Sequence, residues 1–148
     1  MRRFVLDTGI LIHYIRKSDL YQQIEADHQL TANDAMPLIS VVTKGELLSF
    51  AIQRNWGAQK RTDLNQLLNK LPIIDIHSQD ALLLSAYADL DAFSKGKLAS
   101  KPLGRSSIKM GKNDLWIAAT AVVANATLIT IDGDFDHLNQ TFLTVSKY

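Results

Sequence analysis

Four carboxylates in this chain follow short apolar runs or open helical segments: Asp7 after FVL, Glu46 in ISVVTKGELLSF, Asp114 in NDLWIAATA and Asp132 in TLITIDGDFDHL. Each has an ordinary explanation. Thr43 and Glu46 have the T-x-x-E spacing of a capping box. Asp114 suits the positive end of a helix dipole, an effect of about 0.3 to 1 kcal/mol. Asp132 before Gly133 suits a turn, and Asp7 suits a cap for a helix beginning near Ile10. These explanations leave one thing open, since Ser, Thr and Asn would cap as well: four separate element ends all use acids. Two carboxylates about 5 Å apart repel by roughly 3 kcal/mol at an effective dielectric near 20. If the four meet, they need a cation.

The available donors say which cation. Carboxylate oxygens select a hard divalent ion such as Mg²⁺ or Mn²⁺ over zinc or copper, and such an ion suits phosphoryl chemistry. The chain has no cysteine, which removes thiol catalysis, disulfide scaffolds and Cys-type zinc sites. His13, His28, His77 and His137 fall in no recognisable acid, base or ligand pattern and read as surface or packing residues. His137 lies three residues beyond Asp134, in the segment that carries Asp132.

Whether the acids meet depends on the elements that carry them. FVLD, PLISVV, PIIDI and TLITI read as buried strands, with FLTV as a candidate fifth. Between them lie helical segments: ILIHYIRK, DLYQQIEADHQL, TKGELLSFAIQR, residues 58–70, SQDALLLSAYADLDAF capped by Ser78, and NDLWIAATAVVAN. Alternation of this kind predicts a three-layer α/β/α sandwich around a mainly parallel sheet of four or five strands. In such a sheet ligands bind outside the carboxyl ends of the strands. All four acids are expected on that rim, with Glu46 in the first turn of its helix.

Composition is compatible with this reading. A chain of 148 residues with 47% hydrophobic residues can bury a core without disulfides, so one domain spanning 1–148 is expected. Asp7 interrupts the first apolar segment well short of signal-peptide or membrane-span length. A cytoplasmic protein with no membrane partner is therefore expected. The formal net charge of +1 is silent about partners, but its distribution is not. Between Asp91 and Asp114 lie Lys95, Lys97, Lys101, Arg105, Lys109 and Lys112, six of the sixteen basic residues, and no acid. A charge run of this kind is usually a solvated linker. Here it leads directly into Asp114, which favours contact with phosphates by Lys101, Arg105, Lys109 and Lys112.

The pieces FVLDTGILI, ISVVTKGELLSF, IKMGKNDLWIAATA and LITIDGDFDHL resemble, in order and spacing, the PIN-domain nucleases, and among them the VapC-type toxins of bacterial toxin–antitoxin pairs. The resemblance implies a PIN-like fold and a metal-dependent endoribonuclease with RNA as substrate. It maps the catalytic and metal-binding acids onto Asp7, Glu46, Asp114 and Asp132, with Asp134 as an auxiliary ligand. Asp132 would complete the shell directly or through water. Thr8 and Thr130 match polar positions beside the metal and substrate. A homodimer and a cognate antitoxin that inserts a segment into the acidic groove are implied as partners. The loop before IKMGKNDLWIAA looks longer than in most toxins of this type, which bears on how substrate enters and how the partner covers the site.

Three other readings compete. An aspartyl phosphatase wants a second Asp two residues after the first, where this chain has Gly9. A receiver domain wants its phosphorylated Asp on the third strand, where Asp75 lacks the usual company. A non-catalytic RNA-binding or scaffold version of the PIN-like fold normally loses one or more of the acids, and all four are present.

Overall fold

The computed structural model describes all of residues 1–148. Five strands, β1 (Arg2–Leu6), β2 (Ala35–Ser40), β3 (Ile73–Ile74), β4 (Thr127–Thr130) and β5 (Thr144–Lys147), form one sheet in the order β3-β2-β1-β4-β5. Every pair is parallel. Parallel neighbours cannot be joined by a tight hairpin, so the chain crosses over through helices α1 (Thr8–Arg16), α2 (Asp19–His28), α3 (Val41–Gln53), α4 (Ala58–Lys70), α5 (Ala81–Ser94) and α6 (Lys112–Ala124). A 3-10 turn (Gly133–Leu138) links β4 to β5.

Alternation along the strands sorts the core into two layers. Val5, Leu38 and Leu128 point to one face and pack with Leu83, Leu90, Leu115 and Ile117 of α5 and α6. Phe4, Leu6, Ile39 and Ile129 point to the other and pack with Ile10, Leu47, Leu64 and Leu68 of α1, α3 and α4. No helix is long and apolar enough to cross a membrane.

Several boundaries differ from the sequence reading, each for a local reason. Ser40, in extended conformation, accepts a hydrogen bond from the Val42 N–H and starts α3 at Val41. Val41 and Val42 are therefore helical, and Thr43 is not a cap. Its hydroxyl is buried without a partner. Glu46 accordingly lies in the second turn of α3, with no capping box. The third strand shrinks to Ile73–Ile74, because it pairs only with Ile39 and Ser40 at the sheet edge. Asp75 is exposed beyond it. The fifth strand begins at Thr144, since Phe142 turns aside to pack edge-on against Phe93. The cap of α5 is Asp80, whose carboxylate accepts from the Leu83 N–H, and not Ser78. Asp80→Ala should therefore destabilise the protein by about 0.5 to 2 kcal/mol in urea unfolding, whereas Ser78→Ala should leave the midpoint unchanged.

Candidate active site

The sheet order reverses direction at β1, so the cleft between the carboxyl ends of β1 and β4 is where a parallel α/β sheet opens to a ligand. Register fixes what stands there. Leu6 pairs with Ile129, which sets Asp7 opposite Thr130 one step further on. The Asp7 N–H still donates to the Ile129 carbonyl at 3.0 Å. Asp7 also caps α1, accepting from the Thr8 N–H at 2.8 Å. The cap explanation and the site explanation hold for the same residue.

Asp7 is only 8% exposed. Burial raises its pKa above the usual carboxylate value, while the hydrogen bonds from Thr130 and the Thr8 N–H pull it back down and the charges of Glu46 and Asp132 push it up again. The Thr130 hydroxyl, fully buried, donates to Asp7 Oδ2 at 2.7 Å and accepts from the Asp132 N–H at 3.0 Å. One hydroxyl thus ties two acids together. With both of its bonds made inside the protein, Thr130 faces Asp7 and not a substrate.

The remaining acids arrive from α3, α6 and the 3-10 turn. Glu46 is held at both oxygens: Thr8 Oγ1 donates to Oε1 at 2.7 Å and Asn113 Nδ2 donates to Oε2 at 3.2 Å. Each carboxylate oxygen keeps a further lone pair for another partner. Asp132 follows β4 by two residues and caps the 3-10 turn by accepting from the Asp134 N–H at 2.9 Å. Asp114 lies in the first turn of α6. Carboxylate oxygens of Asp114, Asp132 and Asp134 all fall within 4.8 Å of one another. The tightest acid group is therefore this one, and Asp134 is as central to it as Asp132. Asp7 and Glu46 adjoin it closely enough for their charges to act on Asp114. Its pKa is pushed up to about 7, first by burial and then by the charges of Asp7, Asp132, Glu46 and Asp134.

No Lys or Arg neutralises these five acids. The three ion pairs of the structure, Arg2 with Asp34, Lys95 with Asp91 and Lys147 with Asp136, all lie elsewhere. The donor set is carboxylate oxygen throughout, with no imidazole within it. His137 spends Nε2 on Ser94 Oγ at 2.7 Å and stacks on Phe93. Such a set fits a hard divalent cation. Close packing of the first turn of α1 completes the rim: a Cβ on Gly9 would stand 2.9 Å from Cδ1 of Ile131, the residue between Thr130 and Asp132.

The basic loop divides. Lys112 opens α6 and lines a depression with Glu46 and Asp114. Lys109 and Arg105 are exposed. Lys101 lies over the Phe142 ring at 4.4 Å and donates to the Thr141 carbonyl at 2.8 Å, so the structure does not bring it to the acids. Lys95 is taken by Asp91.

Fold and site together define an α/β protein with an uncompensated acidic centre at the carboxyl edge of a parallel sheet. The family profile described as PIN domain matches residues 4–140, and the chain belongs to that family. Ribonuclease VapC2 of Rickettsia felis is 29% identical over 129 residues, covering 86% of this chain and 84% of the relative. Among solved structures, VapBC2 from Rickettsia felis bound to a DNA fragment from their promoter matches with a TM-score of 0.76 at 24% identity, over 99% of this chain and 98% of that one. VapBC-1 from nontypeable Haemophilus influenzae matches with a TM-score of 0.72 at 24% identity, over 98% and 97%. At that identity the structures establish the fold.

Asn113 went unselected in the sequence because its partner lies 67 residues away; only its place beside Asp114 hinted at the site. If Asn113 orients Glu46, Asn113→Ala should weaken divalent-cation binding about 10- to 100-fold. Calorimetric titration with Mn²⁺ as probe checks this, and the melting temperature without metal should hardly change.

Proposed function

We propose that this chain is a metal-dependent endoribonuclease of the VapC type, the toxin of a toxin–antitoxin pair, working in the cytoplasm as one catalytic unit across residues 1–148. The observation that carries the reading is the gathering of Asp7, Glu46, Asp114, Asp132 and Asp134 with no Lys or Arg paired to any of them. Support for RNA as substrate comes from the Rickettsia felis relative, which is named a ribonuclease. The solved VapBC structures support a cognate antitoxin as partner, and a homodimer belongs to the same reading. A non-catalytic version of the fold is disfavoured, because every acid is retained and all converge.

The chemistry follows from the donor set. A divalent ion, Mg²⁺ or Mn²⁺, would supply a water acidic enough to attack a phosphodiester at neutral pH and would offset charge gathering on phosphorus. Asp7, Glu46 and Asp114 would hold it, with Asp132 and Asp134 completing the shell. The Thr130 hydroxyl offsets part of the burial penalty on the Asp7 carboxylate, and Thr8 with Asn113 fixes the plane of the Glu46 carboxylate. Asp114, with its pKa near 7 in the absence of metal, is the acid poised to give up a proton as the cation binds. Lys109 and Lys112, flanking α6 at the rim, would meet phosphates of the bound strand.

Controlled expression followed by sequencing of RNA ends tests the reading. Wild type should produce new, discrete cleavage ends and arrest growth. Asp7→Asn, Glu46→Gln and Asp114→Asn should each reduce those ends to background while melting as folded proteins. Undiminished cleavage by folded Asp7→Asn protein would refute the assignment.

A further inference from the structure

Two depressions lie outside the acidic centre. One, of about 700 Å³, is at the amino ends of β1 and β4, lined by Arg3, Phe4 and Thr127 among others. A second, of about 510 Å³, lies between the 95–111 loop and the 3-10 turn, with Lys101, Arg105 and His137 along it. Both include Gln140 and Thr141. The two depressions therefore adjoin at these residues, and together they make the two reaches of a groove. No Asp or Glu lines either part, in a chain that has 15 acids.

Its cations are available. Arg2 is committed to Asp34, but Arg3, Lys101 and Arg105 are in no ion pair. The polar contact of Arg3 is a long one, 3.5 Å to the Ala124 carbonyl. Lys101 spends one of its three donors on Thr141.

One end of the groove adjoins the acids. His137 belongs to the same 3-10 turn as Asp134, about 6 Å along at the usual rise of about 2 Å per residue. Arg105 and Asp134 both lie near enough to that imidazole to bias its titration, in opposite directions. The other end reaches the far side of the sheet. Arg3 and Asp7 are four residues apart along one strand, about 13 Å.

We propose that this groove carries the RNA backbone away from the scissile phosphate, from the 3-10 turn past Arg105 and Lys101 to Arg3, so that the substrate is gripped over several nucleotides. The inference rests on the ribonuclease reading. A protein partner takes its binding energy from buried apolar and aromatic anchors, and of the exposed large apolar side chains only Met1 lines this groove, while Leu48 and Ile52 of α3 and Leu82 and Leu84 of α5 lie elsewhere. What this groove offers is spaced cations with amides and hydroxyls such as Gln140, Thr141 and Asn125, the groups that meet phosphates and sugars.

The test is fluorescence anisotropy of mixed-sequence single-stranded RNA in EDTA, which prevents cleavage, at several salt concentrations. Arg3→Ala and Arg105→Ala should each raise Kd and flatten the slope of log K against log[salt] by about 0.7, the value of one lost contact on a single strand. Lys70→Ala, an exposed cation at the end of α4, should change neither. An oligonucleotide too short to span from the acids to Arg3 should be insensitive to Arg3→Ala. An unchanged slope in Arg3→Ala with the long RNA would overturn the proposal. So would weakened binding of polyglutamate in the two variants with RNA binding intact, which would make the groove a seat for an acidic protein segment. Cleavage ends in expressing cells separate the two levels: if they are present while the slopes are unchanged, the groove fails and the ribonuclease stands. Reduced slopes with no cleavage by wild type would leave an RNA-binding groove on a protein that is not a nuclease.

Discussion

Mutual repulsion among carboxylates is the constraint around which this molecule is built. A parallel sheet sends every carboxyl end to one edge, and here β1 and β4, neighbours in the sheet, deliver Asp7 and Asp132 to the same spot. Helices α3 and α6 add Glu46 and Asp114, and the 3-10 turn adds Asp134. Such crowding costs stability in the metal-free protein: burial first, and then the charges of the neighbouring acids, push the Asp114 pKa up to about 7. The two apolar layers on either face of the sheet supply the rigidity that keeps the acids from moving apart.

The protein restrains these acids with neutral donors. Thr130 bridges Asp7 and the Asp132 main chain, Thr8 and Asn113 hold Glu46, and the main-chain N–H groups of Thr8 and Asp134 hold Asp7 and Asp132. A lysine or arginine in those places would have stabilised the fold and cancelled the charge. Hydroxyls and amides orient the carboxylates and leave their charge available to a cation. The free cations stand apart, in the 95–111 loop and at Arg3, where an anionic strand entering the site would meet them.

Strands and acids were legible in the sequence because both are written locally. An apolar run that ends on an acid, as in FVLD or TLITID, carries its own signal, and the helix that opens with Asn113 and Asp114 does too. What escaped was set by partners far along the chain. Asn113 matters through Glu46, 67 residues away, and Thr130, picked out only by resemblance, acts through a bond to Asp7, 123 residues away, that nothing local announced. The T-x-x-E pattern at Thr43 misled because Ser40, three residues earlier, supplies a better-placed oxygen and moves the helix start upstream. The resemblance gave Asp134 an auxiliary place, and nothing local reveals that a 3-10 turn sets it beside Asp132 and Asp114. That Lys101 lies over Phe142, away from the acids, could not be read from its place before Asp114, because the contact is a tertiary event.

Melting temperature against pH, with EDTA and with Mn²⁺, tests the central claim most directly. Asp114 has a folded pKa of about 7 against about 3.9 when unfolded, so between those values the folded state binds more protons and stability must fall as pH rises. His28 and His137, whose folded pKa values are lowered by burial, act in the opposite sense, so the comparison with Asp114→Asn isolates the acid. In EDTA the wild type should lose stability relative to Asp114→Asn as pH rises from about 5 to about 7.5. Mn²⁺ should cancel that loss and stabilise wild type by about 2.7 kcal/mol at a hundredfold excess over Kd, with most of the gain absent in the variant. Identical melting of wild type with and without millimolar Mn²⁺, together with no difference in pH dependence between the two proteins, would contradict an acidic centre built to hold a cation.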